Sequence, residues 1–320
     1  RRGARWVTSN PCKIQLFKKD FPDYYQELIA EIKRENAGAT PAVMAAQMFT
    51  KVCAISARAL YPIFKATNKQ YGFVCMQVDS RDIKDTDAMI KQVEFWYDAM
   101  KKELGVEEPN VVFKLPAVEA AVEAARILLE KNYKLCMTLN FTVTQHLRFA
   151  EILSKGKKNG YLVLMGDQLD DQIAKELEAK GVENAKDIAK HGAEAVIRKS
   201  YRLLAEKGYK NLSIMTAAVR GPWHIQNSFA PVGGAPVLIT TVTGKINQFD
   251  AEPTPFDSLM DQPVEEKYLE VLKTGDVFNK AICTPDEGLL TWENLYEYPP
   301  FVAFFAQFVA AYQEIEEDFK

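Results

Sequence analysis

The sequence predicts an α/β protein in which short parallel strands are covered by helices on both faces. Apolar runs of about six to eight residues recur along the chain and are nearly continuous, which is typical of strands buried on both faces. Amphipathic segments at helical spacing separate them, for example at 117–131, 171–180 and 187–207. Because each strand is followed by a helix, consecutive strands must run in the same direction.

The elements follow one another in a regular order along the chain. The predicted strands are a partial strand before Thr8, Gly72–Val78, Asn110–Leu115, Lys134–Phe141, Gly160–Met165, Asn211–Thr216 and Pro236–Val242. Residues 250–263 are rich in proline and acidic residues and predict a loop, which two helical segments follow. The second, at Phe301–Lys320, has aromatic residues at helical spacing that predict a packed face. We therefore expect residues 1–245 to form the strand-and-helix body and residues 246–320 to pack on it within one domain.

Composition excludes several classes of protein. The 320 residues are 48% hydrophobic and 26% charged, as in ordinary globular proteins. A net charge of -3 predicts no broad basic surface, so we expect no nucleic-acid partner. The longest apolar runs fall far short of the roughly 20 residues that span a bilayer, so we expect no membrane partner.

Cysteine and histidine usage points to an intracellular protein without a metal. None of the five cysteines forms a C-x-x-C pair, and the three histidines have no metal-ligand spacing. No glycine-rich phosphate loop follows a predicted strand, so we expect no nucleotide cofactor. The expected location is the cytoplasm, or an organelle if a targeting peptide has been removed ahead of Arg1.

One residue stands out as a candidate for catalysis. Lys114 lies inside an apolar strand, where a charged side chain is unusual. Burial favours the neutral amine, which is the nucleophile that forms a Schiff base with a ketone or aldehyde. The alternative is a lysine near the strand end whose amine reaches solvent.

Three further polar residues lie in or directly after predicted strands, where barrel enzymes build active sites. Thr138 can hold a water or polarise a carbonyl, or it is an ordinary β-branched strand residue. Asn10 can bind a sugar hydroxyl, or it forms a turn before proline. Arg220 suits a phosphate, sulfonate or carboxylate, or it makes a surface ion pair.

Four segments resemble motifs of the transaldolase family, the class I aldolases built on a (β/α)8 barrel. TSNP resembles T-[ST]-N-P, FKLPA resembles I-K-[IL]-P-A, TLNFTVTQ resembles T-L-x-F-S-x-x-Q and MTAAVR resembles M-G-A-S-x-R. They occupy Thr8–Pro11, Phe113–Ala117, Thr138–Gln145 and Met215–Arg220. The resemblance spans roughly residues 7–242, and the lysine strand and the next strand are its most specific part.

The resemblance implies a TIM barrel of the class I aldolase type and a role for each candidate. Lys114 matches the Schiff-base lysine, and Thr138 matches the threonine that orients the catalytic water. Asn10 matches the asparagine that holds the substrate hydroxyls, and Arg220 matches a phosphate-binding arginine. The implied reaction transfers or releases a dihydroxyacetone unit from a ketose. It needs no metal or organic cofactor, the partner is a small sugar or sugar derivative, and a homo-oligomer is left open.

Departures from the family pattern keep other functions open. Gln77 replaces a carboxylate that moves protons, which favours cleavage over transfer. Asp167 and Ala218 occupy two phosphate-binding places, so we expect weak dependence on a substrate phosphate. The family's first strand, with its acid/base aspartate, is expected to be missing from this chain. The alternatives are a catalytically impaired barrel that serves as a binding or structural protein, and an unrelated lysine-dependent lyase or other α/β enzyme.

Overall fold

The computed structural model describes residues 4–219, 221–226, 238–239 and 259–320. The chain divides into two compact units. The first comprises Arg1–Leu115 and Phe305–Lys320, and the second comprises Pro116–Phe304.

The first unit is built on three parallel strands that lie side by side in chain order. They are β1 (Trp6–Thr8), β2 (Phe73–Gln77) and β3 (Val111–Pro116). Its helices are α1 (Pro11–Asp20), α2 (Pro22–Glu35), α3 (Pro41–Ala66) and α4 (Thr86–Leu104), and a 3-10 turn covers Ser80–Asp82. Every residue of β2 and β3 is buried, which explains their continuous apolar sequences.

The second unit has the same layout around four parallel strands in chain order. They are β4 (Leu135–Thr138), β5 (Gly160–Met165), β6 (Leu212–Ala217) and β7 (Leu238–Ile239). The helices that lie before β7 in the chain are α5 (Ala120–Glu130), α6 (Val143–Leu153), α7 (Gly166–Ala179), α8 (Ala185–Glu206) and α9 (Pro222–Gln226). The later helices are α10 (Glu266–Leu272), α11 (Asp276–Ile282), α12 (Trp292–Leu295) and α13 (Pro299–Glu317), and the residues of α13 from Phe305 onward belong to the first unit.

Proline and capping residues set several helix starts. The helices α1, α2 and α3 each have proline in the first turn, where its missing N–H is no loss. Asn10 and Thr40 accept hydrogen bonds from the backbone N–H groups of Lys13 and Val43, which fixes the start of α1 and of α3.

The parallel α/β architecture that the sequence predicts is confirmed. The predicted strand Lys134–Phe141 ends earlier, at Thr138, because Leu139 adopts a left-handed backbone with φ +52°. Three short helices precede α13 where one segment was predicted, since Gly275 caps α11 and Gly288 closes a 3-10 turn at φ +70°. Residues 250–258 of the predicted loop lie outside the described residues.

Barrel closure by eight strands and the division at residues 245 and 246 stay predictions. Within the described residues there are seven strands. None of the helices within the described residues combines the length and the apolar composition that a bilayer span requires.

Candidate active site

In the first unit, the lysine singled out by the sequence is buried beside two neutral oxygens. Lys114 is only 5% exposed, and its Nζ donates to Thr8 Oγ1 and to the Ser9 carbonyl, both at 3.3 Å. Gln77 on β2 pairs in register with Lys114 on β3. The amine therefore lies inside the protein near the carboxyl ends of β1 and β2, and the solvent-exposed alternative does not hold.

The segment after β1 is fixed by its own polar groups. Ser9 donates from Oγ to the Cys75 carbonyl at 2.7 Å and from its backbone N–H to the same oxygen at 3.1 Å. Its Oγ also contacts Cys53 Sγ at 3.3 Å, and burial raises the pKa of the Cys53 thiol to about 12. These bonds hold the Ser9 carbonyl toward the Lys114 amine.

Asn10 has a structural role in this arrangement. Its Oδ1 accepts from the Lys13 N–H at 3.1 Å and caps α1, with Pro11 in the first turn. The structure shows a helix N-cap at Asn10, directly before Pro11. A contact between Asn10 and a sugar hydroxyl stays a prediction.

Gln77 is a buried amide at the end of β2. It is 1% exposed, and its Nε2 donates to Ser80 Oγ at 3.2 Å. Its Oε1 has no hydrogen-bond partner among the described residues. An amide does not exchange protons at neutral pH, so Gln77 can orient a group but cannot act as an acid or base.

A charged cluster directly beyond Gln77 was missed by the sequence analysis. Arg81 forms ion pairs with Asp79 and with Glu316 of α13, and its guanidinium lies 5.2 Å from the Tyr312 ring centroid. These carboxylates raise the pKa of Arg81, while burial and then the nearby Asp79 charge raise the pKa of Asp82. The alternating charges at 79–85 were a usable local signal, but Glu316 is 235 residues from Arg81 and had none.

In the second unit, Thr138 ends β4 and is completely buried. Its Oγ1 has no hydrogen-bond partner within the described part of the chain. The next residue, Leu139, has φ +52°, a conformation that is strained for leucine. An unused buried hydroxyl beside a strained residue is typical of functional sites.

Gln145 fixes this turn. Its Nε2 donates to the carbonyls of Leu139 and Ala117, both at 2.9 Å, and its Oε1 accepts from the Phe141 N–H at 3.0 Å. The glutamine of the motif TLNFTVTQ is therefore a positioning residue for the end of β4. The sequence placed Gln145 in the motif without assigning it this role.

The residues predicted to replace the phosphate site lie at the same edge of this sheet. Asp167 is half-buried in the first turn of α7, directly after β5. Ala218 follows β6 with φ +60°, and Ala217 pairs in register with Met165 at the end of β5. Arg220 lies outside the described residues.

A buried histidine–aspartate hydrogen bond beyond β6 was also not predicted from the sequence. His224 Nε2 lies 3.1 Å from Asp170 Oδ2, and Asp170 Oδ1 accepts from the Ala193 N–H at 2.8 Å. The pair ties α9 to α7 and α8. Among the described residues, no group of three or more histidine, cysteine or acidic side chains is arranged to hold a metal ion.

The observed features define the class of the protein. Strands run parallel in both units, polar side chains gather at their carboxyl ends, and a buried lysine lies on one strand, which is the arrangement of an α/β protein. Residues 1–284 match the model of the family described as Transaldolase/Fructose-6-phosphate aldolase. The chain belongs to this family.

Curated relatives are similar at low identity. A transaldolase of Mycobacterium leprae is 25% identical over 279 residues, covering 81% of this chain and 71% of that protein. A transaldolase of Mycobacterium ulcerans is 29% identical over 143 residues, covering 44% of this chain and 35% of that protein. Transaldolase 2 of a Nostoc species is 31% identical over 88 residues, 28% of this chain and 22% of that protein. The matched region thus spans about a third of the Mycobacterium ulcerans protein.

Proposed function

We propose that this protein is a class I aldolase that forms a Schiff base between Lys114 and a ketose. The observation that carries the proposal is the burial of Lys114 near the carboxyl ends of parallel strands, with neutral oxygens at 3.3 Å from its amine. An amine that is buried on a strand near the carboxyl ends of its neighbours is the feature that a Schiff-base lysine requires.

The reaction proceeds through an imine in this proposal. The Lys114 amine attacks the ketose carbonyl carbon, and loss of water gives a protonated imine. Water takes the proton of the hydroxyl on the carbon that becomes the aldehyde, the adjacent C–C bond breaks, and its electron pair moves toward the imine nitrogen, so that an aldose leaves and an enamine remains on Lys114. A proton from water then adds to the enamine carbon, and hydrolysis of the resulting three-carbon imine releases dihydroxyacetone and the free amine. In transfer, the enamine carbon instead attacks the aldehyde of a second aldose, and hydrolysis of the new imine releases the product ketose. The buried Thr138 hydroxyl is suited to orient the water of these steps.

Three residues define the proposed reaction and substrate preference. Gln77 cannot relay protons between water and an acceptor aldehyde, which favours release over transfer. Asp167 adds a negative charge where the family pattern has an arginine, and Ala218 provides no hydroxyl, so both weaken binding of an anion. We therefore infer that the ketose is uncharged, or that its phosphate contributes little to binding.

Borohydride trapping tests the proposal. The protein is incubated separately with fructose 6-phosphate, fructose and dihydroxyacetone, the imine is reduced, and adducts are mapped by mass spectrometry. We expect an adduct on Lys114 that Lys114→Met abolishes without loss of the fold by circular dichroism. We also expect fructose to be trapped to within about threefold of fructose 6-phosphate. Arg220 is the one phosphate-binding residue of the family pattern that the sequence keeps, and a single exposed charge pair changes binding little.

A second buried lysine provides a matched control. Lys134 lies just before β4, is 9% exposed, and places its ammonium 5.7 Å from the Tyr161 ring centroid. It lies at the amino end of a strand, so we expect no adduct there and unchanged trapping in Lys134→Met. Trapping that persists in Lys114→Met would overturn the proposal. No adduct with any sugar, together with a sugar-induced thermal shift, would favour the binding-protein alternative.

A further inference from the structure

A second buried polar side chain follows Thr138 and has no use in the fold. Asn140 is 0% exposed, and both Oδ1 and Nδ2 lack a hydrogen-bond partner among the described residues. Buried amides are almost always hydrogen-bonded, because an unpaired donor or acceptor loses its contacts with water. An asparagine with both groups unpaired therefore lowers the stability of the folded state.

The backbone holds Asn140 in place from both sides. Its carbonyl accepts from the Met165 N–H at 3.1 Å, which fixes it beside the end of β5. Gln145 binds the carbonyl of Leu139 before it and the N–H of Phe141 after it. The strained backbone of Leu139 and the hydrogen bonds of Gln145 therefore fix the position of Asn140.

Among the described residues of the second unit, chain order and strand pairing place a hydroxyl, a carboxylate and an alanine at the strand ends beside Asn140. The unpartnered hydroxyl of Thr138 lies two residues before it, and β5, which its carbonyl joins, leads directly into Asp167. Ala218 directly follows β6, the strand that pairs with β5. An amide offers one donor face and one acceptor face, which fits neighbouring hydroxyl groups or a hydroxyl beside a carbonyl.

We propose that Asn140 is a substrate-binding residue that recognises an uncharged, polyhydroxylated ketose. Its Nδ2 donates to one substrate oxygen, and its Oδ1 accepts from a substrate hydroxyl. The inference rests on the proposed Schiff-base function and assigns a sugar contact to the second unit. Because Asn140 has no acid or base chemistry, it acts on binding of the sugar and leaves the attack by Lys114 unchanged.

The test compares Asn140→Leu with Asn110→Leu. Asn110 is also 0% exposed, but it precedes β3 and its Nδ2 donates to the carbonyls of Ala57 and Gly72 at 3.0 and 2.6 Å. The measurements are KM and kcat for cleavage of fructose, and the thermal midpoint of unfolding. Leucine has a similar volume and no hydrogen-bonding group. Asn140→Ala, which adds no volume, is measured alongside in case leucine disturbs the turn.

We expect Asn140→Leu to raise KM about tenfold, as for the loss of one or two neutral hydrogen bonds, with kcat within about twofold of the wild type. Its thermal midpoint should be unchanged or higher, because an unpaired amide is removed. Asn110→Leu should lower the midpoint and leave KM unchanged.

The opposite pattern overturns the inference. If both Asn140 variants lower the thermal midpoint as Asn110→Leu does, with KM unchanged, Asn140 serves folding through an internal water. Unchanged KM with an unchanged midpoint also removes the binding role. In either case the wild-type adduct on Lys114 remains, so the proposed function stands. If the wild type forms no adduct, the proposed function fails and this inference fails with it.

Discussion

Polar side chains at the two ends of the parallel strands are used in different ways. At the amino ends, Asn110 and Asn211 stand immediately before β3 and β6. Asn110 donates its amide hydrogens to the carbonyls of Ala57 in α3 and of Gly72, and Asn211 donates to the Gly156 carbonyl. At the carboxyl ends, Gln77 Oε1, Thr138 Oγ1 and the whole amide of Asn140 have no partner among the described residues.

This difference separates stability from function within one fold. A buried donor that binds a backbone carbonyl stabilises the folded state, whereas an unpaired one destabilises it and is retained for another purpose. Asn110 Oδ1 also lacks a hydrogen-bond partner among the described residues, so the contrast concerns the amide donors of Asn110 and Asn140. Substitutions at the amino ends should therefore change the free energy of unfolding, and substitutions at the carboxyl ends should change turnover.

The largest expected effect on stability is at the amino end of β2. Gly72 has φ +85°, and a Cβ there would lie 2.5 Å from the Phe64 nitrogen and 2.7 Å from the Leu60 carbonyl oxygen. Gly72→Ala should lower the free energy of unfolding by about 4 kcal/mol, because strain and a backbone clash add together. Urea denaturation followed by circular dichroism measures this.

Gly105 is the matched control for Gly72. It ends α4 with φ +66°, but a Cβ there would meet nothing within 4 Å. Gly105→Ala should cost only about 1 kcal/mol, the strain of a left-handed alanine. Equal losses in the two variants would show that the close approach at Gly72 contributes nothing.

A smaller, pH-dependent effect is expected from a buried histidine whose hydrogen bonds are complete. His146 Nε2 donates to the Val163 carbonyl at 3.1 Å, so Nδ1 accepts from Ser200 Oγ at 2.8 Å. Burial lowers the pKa of His146 from 6.5 to about 4. Below pH 6.5 the unfolded chain takes up this proton first. The stability present above pH 6.5 is therefore lost as the pH falls toward 4, by roughly 3 kcal/mol.

His146→Gln isolates this contribution, because glutamine keeps a donor and an acceptor and does not titrate. The free energy of unfolding of both proteins is measured by urea denaturation between pH 7 and pH 4. The wild type should lose about 3 kcal/mol more than the variant over this range. Parallel pH curves would mean that His146 is not the group that titrates.

The sequence was informative where a residue's chemistry disagrees with its neighbours. The near-continuous apolar runs predicted buried parallel strands, and a lysine within one of them stood out before its burial was known. The turn at Leu139 was not predictable, because leucine has no preference for positive φ and TLNF suits a strand. Asn140 was therefore assigned to a strand. The motif TLNFTVTQ contains Gln145, but its hydrogen bonds to Leu139 and Phe141, which hold the turn, become visible only in the structure.

The smallest expected effect on stability is at Thr138, and it tests most directly the difference between the carboxyl and amino ends of the strands. Thr138 Oγ1 is buried without a partner among the described residues, so Thr138→Val should change the free energy of unfolding by less than about 0.5 kcal/mol. If the hydroxyl orients the water of imine hydrolysis, turnover of fructose should fall about 100-fold, as for loss of a positioned proton-transfer group. Denaturation and steady-state kinetics on the same preparation measure both.

Thr144 is the matched control, because it is equally buried but its Oγ1 donates to the Cys283 carbonyl at 2.8 Å. Thr144→Val should lower the free energy of unfolding by about 1–2 kcal/mol, since the carbonyl loses its partner, while turnover stays within about twofold. If Thr144→Val lowered turnover while Thr138→Val lowered only the free energy of unfolding, the assignment of function to the carboxyl end of β4 would be contradicted. A loss of both stability and turnover in Thr138→Val would show that its hydroxyl is bonded in the folded protein.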